Sequence, residues 1–157
     1  MKAFALNLLV SVVWLLLQPG SSGVTLLIGF AFGFALIALF RELLDASNYV
    51  RRMFAAMRFC GVFLREFLLS SWQLTSLVIS RRLERLQPTM LRYDITGLTR
   101  MEALLLSHCI SLTPGTTTVD IDPDFRSFIL HVIDGRPEQV RKSIDETLRA
   151  GILAFTR

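Results

Sequence analysis

The sequence contains few of the residues from which catalytic and metal sites are built. Its two cysteines, Cys60 and Cys109, are far apart, and no cysteines or histidines have the spacing of a zinc site. An Asp-x-Asp-x-Asp run at 120–124 lacks the glycine and the glutamate that a calcium loop needs at its sixth and twelfth positions. No G-x-S-x-G, phosphate-binding loop or dinucleotide fingerprint is present. We therefore predict that the chain is not an enzyme and holds no metal or other cofactor.

Charge is also scarce. Only 19% of the 157 residues are charged and 52% are hydrophobic, and the mean hydropathy is +0.51. The apolar excess is concentrated in the first 80 residues, and the net charge of +4 comes mostly from arginines that flank apolar runs. Because these arginines are not interleaved with exposed aromatics, the pattern favours a lipid bilayer over nucleic acid as the partner.

Two apolar runs near the N-terminus, residues 3–17 and 24–40, are joined by the uncharged stretch 18–23. The first run is interrupted only by Asn7 and Ser11, and with the preceding lysine it also fits a signal peptide. The joining stretch contains Pro and Gly, which predict a tight turn into the second run. We therefore favour a helical hairpin in the membrane over a cleaved signal.

Gly29 and Gly33 give the second run a G-x-x-x-G spacing. This interval puts both residues on one helix face, where the lack of side chains lets another backbone approach closely. Glycine is frequent in membrane helices in any case, so the spacing also occurs without a packing role. A close helix contact at these positions and a chance spacing are both open interpretations.

A third helix is expected from about residue 48 to about residue 86, with a membrane span over residues 59–80. Arginines recur every seven residues in its first half and form one stripe: Arg51, Arg58 and Arg65. Uncharged polar side chains occupy the second half, and such groups hydrogen-bond between packed membrane helices. The candidates for polar contacts in the membrane or with another subunit are Arg58, Arg65, Glu66 and Gln73.

Glu66 interrupts the third predicted span together with Arg65. An ionisable side chain at such a depth is costly and should face protein or water. Adjacent residues of a helix point about 100° apart, so these two side chains need not pair with each other. Two roles are open for Glu66, a relay of protons or cations and an anchor to a neighbouring subunit or the membrane interface. We favour the anchor.

The periodicity changes after Pro88, where apolar and polar residues alternate as in a half-buried strand. Residues 99–102 form a capping box that predicts a short helix over about 100–110. A second strand puts Val119 and Ile121 on one face. A turn over 122–126 then leads to a third strand, residues 128–133, which is apolar on both faces as a central strand is.

The last predicted helix begins at Pro137, which is tolerated in a first helical turn. Its apolar residues are spaced by four: Val140, Ile144, Leu148 and Ile152. The chain is therefore expected to be a membrane α-helical protein, a short hairpin plus one long helix, with a small C-terminal α+β domain. The helical membrane region is residues 1–86, and the domain, with the order β-α-β-β-α, is residues 87–157.

Residues 111–116, the SLTPGT segment, separate the short helix from the second strand. Proline disfavours helix at the preceding threonine and glycine is free to turn, so the segment stops the helix. On local features alone a structural turn explains it, since Pro-Gly dipeptides are common in turns. Its residues are Ser111, Leu112, Thr113, Pro114, Gly115 and Thr116.

The apolar hairpin, the arginine-marked helix and the domain centred on the SLTPGT segment together resemble the E-type subunit of the multisubunit Mrp-type cation/proton antiporters, also called the Mnh or Pha family. The resemblance covers nearly the whole chain. Its most specific piece is the SLTPGT segment followed by Val119-Asp120 and by residues 130–134. Glu66, ahead of Trp72, is similar to the family's acidic position in the third helix.

The resemblance implies a non-catalytic accessory subunit in the plasma membrane of a bacterium. It would be needed for the assembly and activity of a hetero-oligomeric complex that exchanges sodium or potassium for protons, and its other subunits would be the partners. The chain would be multi-pass, with the C-terminal domain in the cytoplasm.

Three full spans would put the N-terminus outside, whereas an incompletely crossing hairpin or a partly interfacial third helix would not. A second function also stays open: a membrane-tethered binding module whose edge strand or turn recruits a cytosolic partner.

Overall fold

The protein is mostly helical, with one three-stranded antiparallel sheet. The computed structural model describes residues 2–20, 22–80, 87–133 and 137–157. Three helices come first: α1 (Lys2–Leu17), α2 (Gly23–Leu39) and α3 (Ser47–Ile79). They are followed by β1 (Thr89–Asp94), α4 (Arg100–Leu112), β2 (Thr116–Ile121), β3 (Ser127–Val132), α5 (Pro137–Ser143), a π-helical segment (Ile144–Arg149) and α6 (Ala150–Thr156). The predicted order β-α-β-β-α is confirmed.

The described residues contain no helix that is both long and apolar enough to cross a membrane, so the predicted spans 3–17, 24–40 and 59–80 are not confirmed. The predicted continuation of the third helix to residue 86 lies outside the described residues. The chain forms two compact units, Met1–Phe54 and Ala55–Arg157, and α3 contributes residues to both. The division into residues 1–86 and 87–157 stays a prediction.

In the first unit, α1 and α2 pack against each other along the two glycines of α2. A Cβ atom at Gly33 would overlap Asn7 Oδ1 and lie 3.1 Å from Val10 Cγ1, and one at Gly29 would lie 2.9 Å from Trp14 Cβ. Because the later glycine meets the earlier part of α1, the helices run antiparallel. The antiparallel pairing of the two predicted helices and the close contact at the G-x-x-x-G positions are confirmed, whereas the location of the hairpin in the membrane stays a prediction.

The hairpin buries its polar side chains and exposes its apolar ones. Asn7 and Ser11 have no exposed surface, whereas Leu16 is 78% and Leu39 is 74% exposed. Asn7 Nδ2 donates to Tyr49 Oη at 2.8 Å, and Ser11 Oγ donates to the Asn7 carbonyl oxygen at 2.8 Å. This is the reverse of the distribution in a protein that is surrounded by water.

Asn7 Oδ1 has no hydrogen-bond donor among the described residues. It lies instead against the Cα of Gly33, at the point where a Cβ would be too close. A Cα–H group makes weak hydrogen bonds to oxygen at helix–helix contacts. The contact therefore explains why position 33 is glycine.

The second unit is built around β3, which is the central strand of the order β1-β3-β2. Leu130 pairs with Leu91 of β1 and with Thr118 of β2, and both pairings are antiparallel. The alternation predicted for β1 and the central position predicted for the third strand are confirmed. The core of this unit includes Phe59, Leu91, Tyr93, Ile95, Leu106, Ile110, Phe128, Leu130, Val132, Ile144, Leu148 and Ile152.

The prediction that Val119 lies on the same face as Ile121 is wrong. The register of β2 against β3 shifts between Thr118 and Asp120, which is a β-bulge, and Val119 is 56% exposed. A bulge adds one residue to a strand without a partner opposite it and so breaks the two-residue alternation. The alternation in the sequence is present, but pairing with β3 overrides it.

The last helix consists of α5, the π-helical segment and α6. It keeps its apolar residues on one side because the number of residues per turn changes in its middle part. Residues spaced by four drift by about 40° per step around an α-helix, since one turn takes about 3.6 residues. The π-helical segment Ile144–Arg149 is wound more widely, with i to i+5 hydrogen bonds, and turns this drift back. As a result Ile144, Leu148 and Ile152 are all buried.

We predict that Gly33→Ala destabilises the α1–α2 hairpin by about 1 to 3 kcal/mol, the usual cost of overpacking a close contact. The added methyl group would meet Asn7 Oδ1 and Val10. Gly61→Ala in α3 is the matched control, because nothing lies within 4 Å of its added Cβ. Thermal unfolding followed by helical circular dichroism in detergent checks both variants. Equal stability of the two would contradict the close packing at Gly33.

Candidate functional site

The SLTPGT segment forms a helix C-cap followed at once by a β-turn. α4 ends at Leu112, and the Thr113 N–H donates to the carbonyl oxygens of Cys109 at 3.2 Å and Ile110 at 3.1 Å. The Thr116 N–H donates to the Thr113 carbonyl oxygen at 3.2 Å. Gly115 has φ +96°, so the turn has Pro at its second position and a left-handed glycine at its third, as type II turns do.

Two hydroxyl groups of the segment complete this cap, and a third joins the segment to β2. Thr113 Oγ1 donates to the Cys109 carbonyl oxygen at 2.9 Å, and Thr116 Oγ1 donates to that of Ile110 at 2.9 Å. Ser111 Oγ accepts from the Thr118 N–H of β2 at 3.1 Å. Carbonyl groups at the end of a helix have no partners within it, so the threonines satisfy groups that α4 leaves open.

The turn is also tied to the end of the central strand. The Ile133 N–H donates to the Gly115 carbonyl oxygen at 3.0 Å. The segment therefore joins α4, β2 and the end of β3 at one point, and its interpretation as a structural turn is confirmed. Within this segment the side chain of Leu112 is 59% exposed.

A cleft of about 490 Å³ lies within the second unit and has this turn as one wall. The second half of α3 forms another wall, and the last helix forms a third. The lining residues are Glu66, Ser70, Gln73, Leu74 and Leu77 from α3, Thr113, Pro114, Gly115 and Thr116 from the turn, Val132 and Ile133 at the end of β3, and Gln139, Val140, Ser143, Ile144, Thr147 and Leu148 from the last helix.

The cleft brings together two groups of residues that the sequence suggested separately. Glu66 and Gln73, the candidates for polar contacts on α3, share it with four residues of the SLTPGT segment. Arg58 and Arg65 are exposed and do not line it. The sequence does not predict that these residues line the same cleft, because α3 and the turn are far apart in the chain.

Glu66 is half-buried and pairs with its neighbour in the sequence. Arg65 Nη1 lies 3.3 Å from Glu66 Oε1, and the side chains are 72% and 25% exposed, respectively. Their positions on the helix do not require this pairing, but the length of the arginine side chain permits it. An ion pair with so exposed a partner contributes little to stability, of the order of 0 to 1 kcal/mol.

Glu102 anchors the N-terminal end of α4. Its carboxylate accepts from the Thr99 N–H at 2.8 Å, which completes the predicted capping box. It also accepts from Thr156 Oγ1 at 2.8 Å and from Arg157 Nε at 3.2 Å. The hydrogen bonds from Arg157 and then from the Thr99 N–H lower the pKa of Glu102 to about 2. The sequence predicted the capping box but carried no signal for the contacts from the last helix.

The last helix also covers β1, which is an edge strand of the sheet. Arg149 donates to the carbonyl oxygens of Asp94 and Thr96, both at 3.1 Å, and Arg141 Nη2 donates to that of Arg92 at 3.2 Å. Edge strands with free backbone groups are templates for pairing with other chains. These arginines occupy acceptors on β1, as Ser111 occupies the Thr118 N–H on β2, the other edge strand.

Tyr93 ties β1 to the last helix through its hydroxyl group, which donates to Asp145 Oδ1. Burial, and then this hydrogen bond to a carboxylate, raise the pKa of Tyr93 to about 12. The phenol therefore stays protonated at neutral pH. It serves as a fixed donor between β1 and the last helix.

Within the described ranges, no group of three or more His, Cys, Asp and Glu side chains lies close enough to hold a metal ion. Cys60 is exposed, Cys109 is buried, and both are free thiols. Burial raises the pKa of the Cys109 thiol. Among the described residues that line the cleft of the second unit, one carries a carboxylate, Glu66.

Comparison with known proteins identifies the family. The profile of the family described as Na+/H+ ion antiporter subunit matches residues 7–154. The chain belongs to this family. It is similar to the E-type subunit of the Na(+)/H(+) antiporter of Alkalihalophilus pseudofirmus, with 30% identity over 153 residues, 97% of this chain and 96% of the relative. It is also similar to the E1-type subunit of the Na(+)/H(+) antiporter of Staphylococcus epidermidis, with 27% identity over 151 residues, 93% of this chain and 94% of that protein.

A solved structure shares the fold of this family member. The structure of the membrane-bound sulfane sulfur reductase, an archaeal respiratory membrane complex, contains a chain that matches with a TM-score of 0.55 and 22% identity. The match covers 96% of this chain and 98% of the other. At this identity the likeness concerns the fold alone.

We predict that Gly115→Ala lowers the free energy of unfolding by about 1 to 2 kcal/mol, the cost of a left-handed conformation for a residue with a Cβ. The cost comes from φ and not from crowding, since nothing lies within 4 Å of the added Cβ. Gly115→Asn is the control and should lose less, because asparagine tolerates this region better. Thermal unfolding of the full chain in detergent measures both losses, and equal losses would contradict the conformational explanation.

We also predict a pH dependence that Glu102 causes. The pKa of Glu102 is about 2 in the folded chain, below its ordinary value of 4.5. The stabilisation by its carboxylate is therefore fully present above about pH 4.5 and is lost as the pH falls towards 2. Glu102→Gln should be less stable than the parent at pH 7 by about 1 to 2 kcal/mol, and the difference should shrink through this range.

Unfolding of the full chain in detergent, followed by circular dichroism at a series of pH values, tests the role of Glu102. Glu146→Gln is the matched control, because its exposed pair with Lys142 (3.8 Å) contributes less than about 0.5 kcal/mol. A constant difference between parent and Glu102→Gln at all pH values would contradict the assignment.

Proposed function

We propose that the chain works as a non-catalytic accessory subunit of a multisubunit antiporter that exchanges monovalent cations, sodium or potassium, for protons. Its partners are the other subunits of that complex, and its role is in the assembly and activity of the whole. The family match over residues 7–154 supports this proposal. So does the similarity to the E-type subunit of a Na(+)/H(+) antiporter over nearly the full length of both chains.

The observation that carries a membrane role is the polarity of the α1–α2 hairpin. Its surface is apolar, while Asn7 and Ser11 are inside it. Helices that associate in lipid use close contacts at small residues and hydrogen bonds between polar side chains, as Gly29, Gly33 and Asn7 do here. We infer that α1 and α2 lie in the plasma membrane of a bacterium. In contrast, α3 contacts the domain formed by residues 87–157 through Phe59 and through the cleft.

The shortage of charge in α3 supports an accessory role rather than an ion path. Arg65 and Glu66 are the only charged residues between positions 59 and 80. Proton relays through a membrane use chains of ionisable groups. A single carboxylate that is paired with an arginine fits an anchoring contact better, so we retain the anchor as the role of Glu66.

We propose that the domain formed by residues 87–157 is on the cytoplasmic side. The stretch after α3 contains Arg81, Arg82 and Arg85 in the sequence, and positive residues next to a span favour the cytoplasmic side. Three full crossings, with the N-terminus outside, would put the arginines between positions 41 and 58 outside as well and would separate α3 from the domain that it contacts. A third helix that lies partly at the membrane interface avoids both conflicts.

The alternative, a membrane-tethered module that recruits a cytosolic partner by strand addition, receives less support. Strand addition needs free backbone groups at a sheet edge. Arg141 and Arg149 occupy carbonyl groups on β1, and Ser111 occupies an N–H group on β2. Within this alternative, recruitment of a cytosolic partner by the turn of the SLTPGT segment stays open.

We predict that the chain migrates with much larger membrane proteins. Gentle detergent extraction of native membranes, native-gel sizing and mass spectrometry of the band should find it in an assembly of several antiporter-like subunits. An accessory subunit must be bound to the proteins that carry the ions, which is the physical reason for this expectation. Migration alone or as a small oligomer would overturn the proposal and leave the tethered module.

A further inference from the structure

The cleft of the second unit has a distinctive distribution of charge. Glu66 is the only charged residue among those that line it in the described part of the chain, and the apolar lining residues include Leu74, Leu77, Val132 and Ile144. A half-buried carboxylate in such surroundings favours a cationic partner, because an opposite charge is stabilised more strongly there than in water. The cleft thus complements an apolar group with one positive charge.

The present partner of Glu66 does not use this complementarity. Arg65 approaches at 3.3 Å from the exposed side, with 72% of its side chain accessible, and it does not line the cleft. Exchanging such an exposed arginine for another cation costs little. Glu66 can therefore pair with a group that enters the cleft without leaving a buried charge behind in α3.

Polar groups at the walls of the cleft are also available. The side chains of Gln73 on α3 and Gln139 on α5 are exposed and line the cleft. The hydroxyl groups of Thr113 and Thr116, in contrast, are bonded within the turn. The turn therefore serves as a fixed wall, while the two glutamines can bind an occupant.

We propose that this cleft receives a segment of a neighbouring subunit, apolar apart from one lysine or arginine whose cationic group pairs with Glu66. This proposal rests on the proposed function, since it takes its partner from the same complex. The segment would lie against Leu74, Leu77 and Ile144, with its backbone or polar side chains meeting Gln73 and Gln139. The cleft volume of about 490 Å³ is within the range of specific binding clefts.

Photo-crosslinking in the intact complex tests this proposal. A photoreactive phenylalanine analogue is placed at Gln139, which lines the cleft, and in a control chain at the adjacent Glu138, which does not line it. After irradiation of native membranes, the complex is purified and the crosslinked peptides are identified by mass spectrometry. We expect the Gln139 probe to capture one segment of another subunit that contains a lysine or arginine, and the Glu138 probe not to capture it.

The charge requirement is tested in the same chain. Glu66→Gln should reduce the yield of the Gln139 crosslink and Glu66→Arg should reduce it further. Reversing the captured basic residue to glutamate in the Glu66→Arg background should restore it. Capture of lipid, of an uncharged segment, or of the same segment by both probes would overturn the proposal, and so would a yield that Glu66→Gln leaves unchanged.

The proposed function is judged by a separate readout, the migration of the parent chain with the antiporter subunits on a native gel. If the chain migrates with them but the Gln139 probe captures no basic segment, the cleft proposal fails and the accessory role stands. If the parent chain migrates alone, both fail. Cation/proton exchange by the Glu66→Gln complex in vesicles then distinguishes the anchor from the relay. If Glu66 were a relay, the variant complex would assemble fully but would not exchange cations for protons.

Discussion

The left-handed conformation of Gly115 is the constraint on which the second unit depends. It lets the chain reverse directly after α4, so that the Gly115 carbonyl oxygen reaches the Ile133 N–H at 3.0 Å. That bond fixes the end of the central strand, and the threonine hydroxyl groups close the end of α4 beside it. Helix, edge strand and central strand are thereby held at one point, and the wall of the cleft is formed by the same few atoms.

The two units are stabilised by different physical means. The second has an apolar core under a three-stranded sheet, as proteins with a water-facing surface do, and its charged side chains are used at the periphery to close strand edges and helix ends. The first has its polar groups inside and relies on the absence of side chains at two glycines. Burial of apolar area stabilises the former, whereas close packing and a few hydrogen bonds stabilise the latter.

Local signals predict most of the fold. The capping box at Thr99 and Glu102, the proline and glycine of the SLTPGT segment and the alternation in β1 each act through neighbours in the sequence, and each is confirmed. The features that the sequence does not predict depend on distant partners. The bulge that exposes Val119 arises from pairing with β3. The π-helical segment brings residues spaced by four to one side of the last helix, where they pack in the core with residues of distant strands. The buried hydrogen bond from Asn7 needs Tyr49, 42 residues away.

The candidate site is predictable from the sequence as two separate sets of residues and not as one place. Glu66 and Gln73 are candidates because they are polar in an apolar helix, and residues 113–116 because of their turn chemistry, yet the structure puts both sets around one cleft. The position of Glu66 in the same cleft as the turn changes the interpretation of its role. A lone acid in a membrane helix is a candidate for carrying protons, but an acid that lines a cleft and pairs, among the described residues, with an exposed arginine has the features of a binding contact.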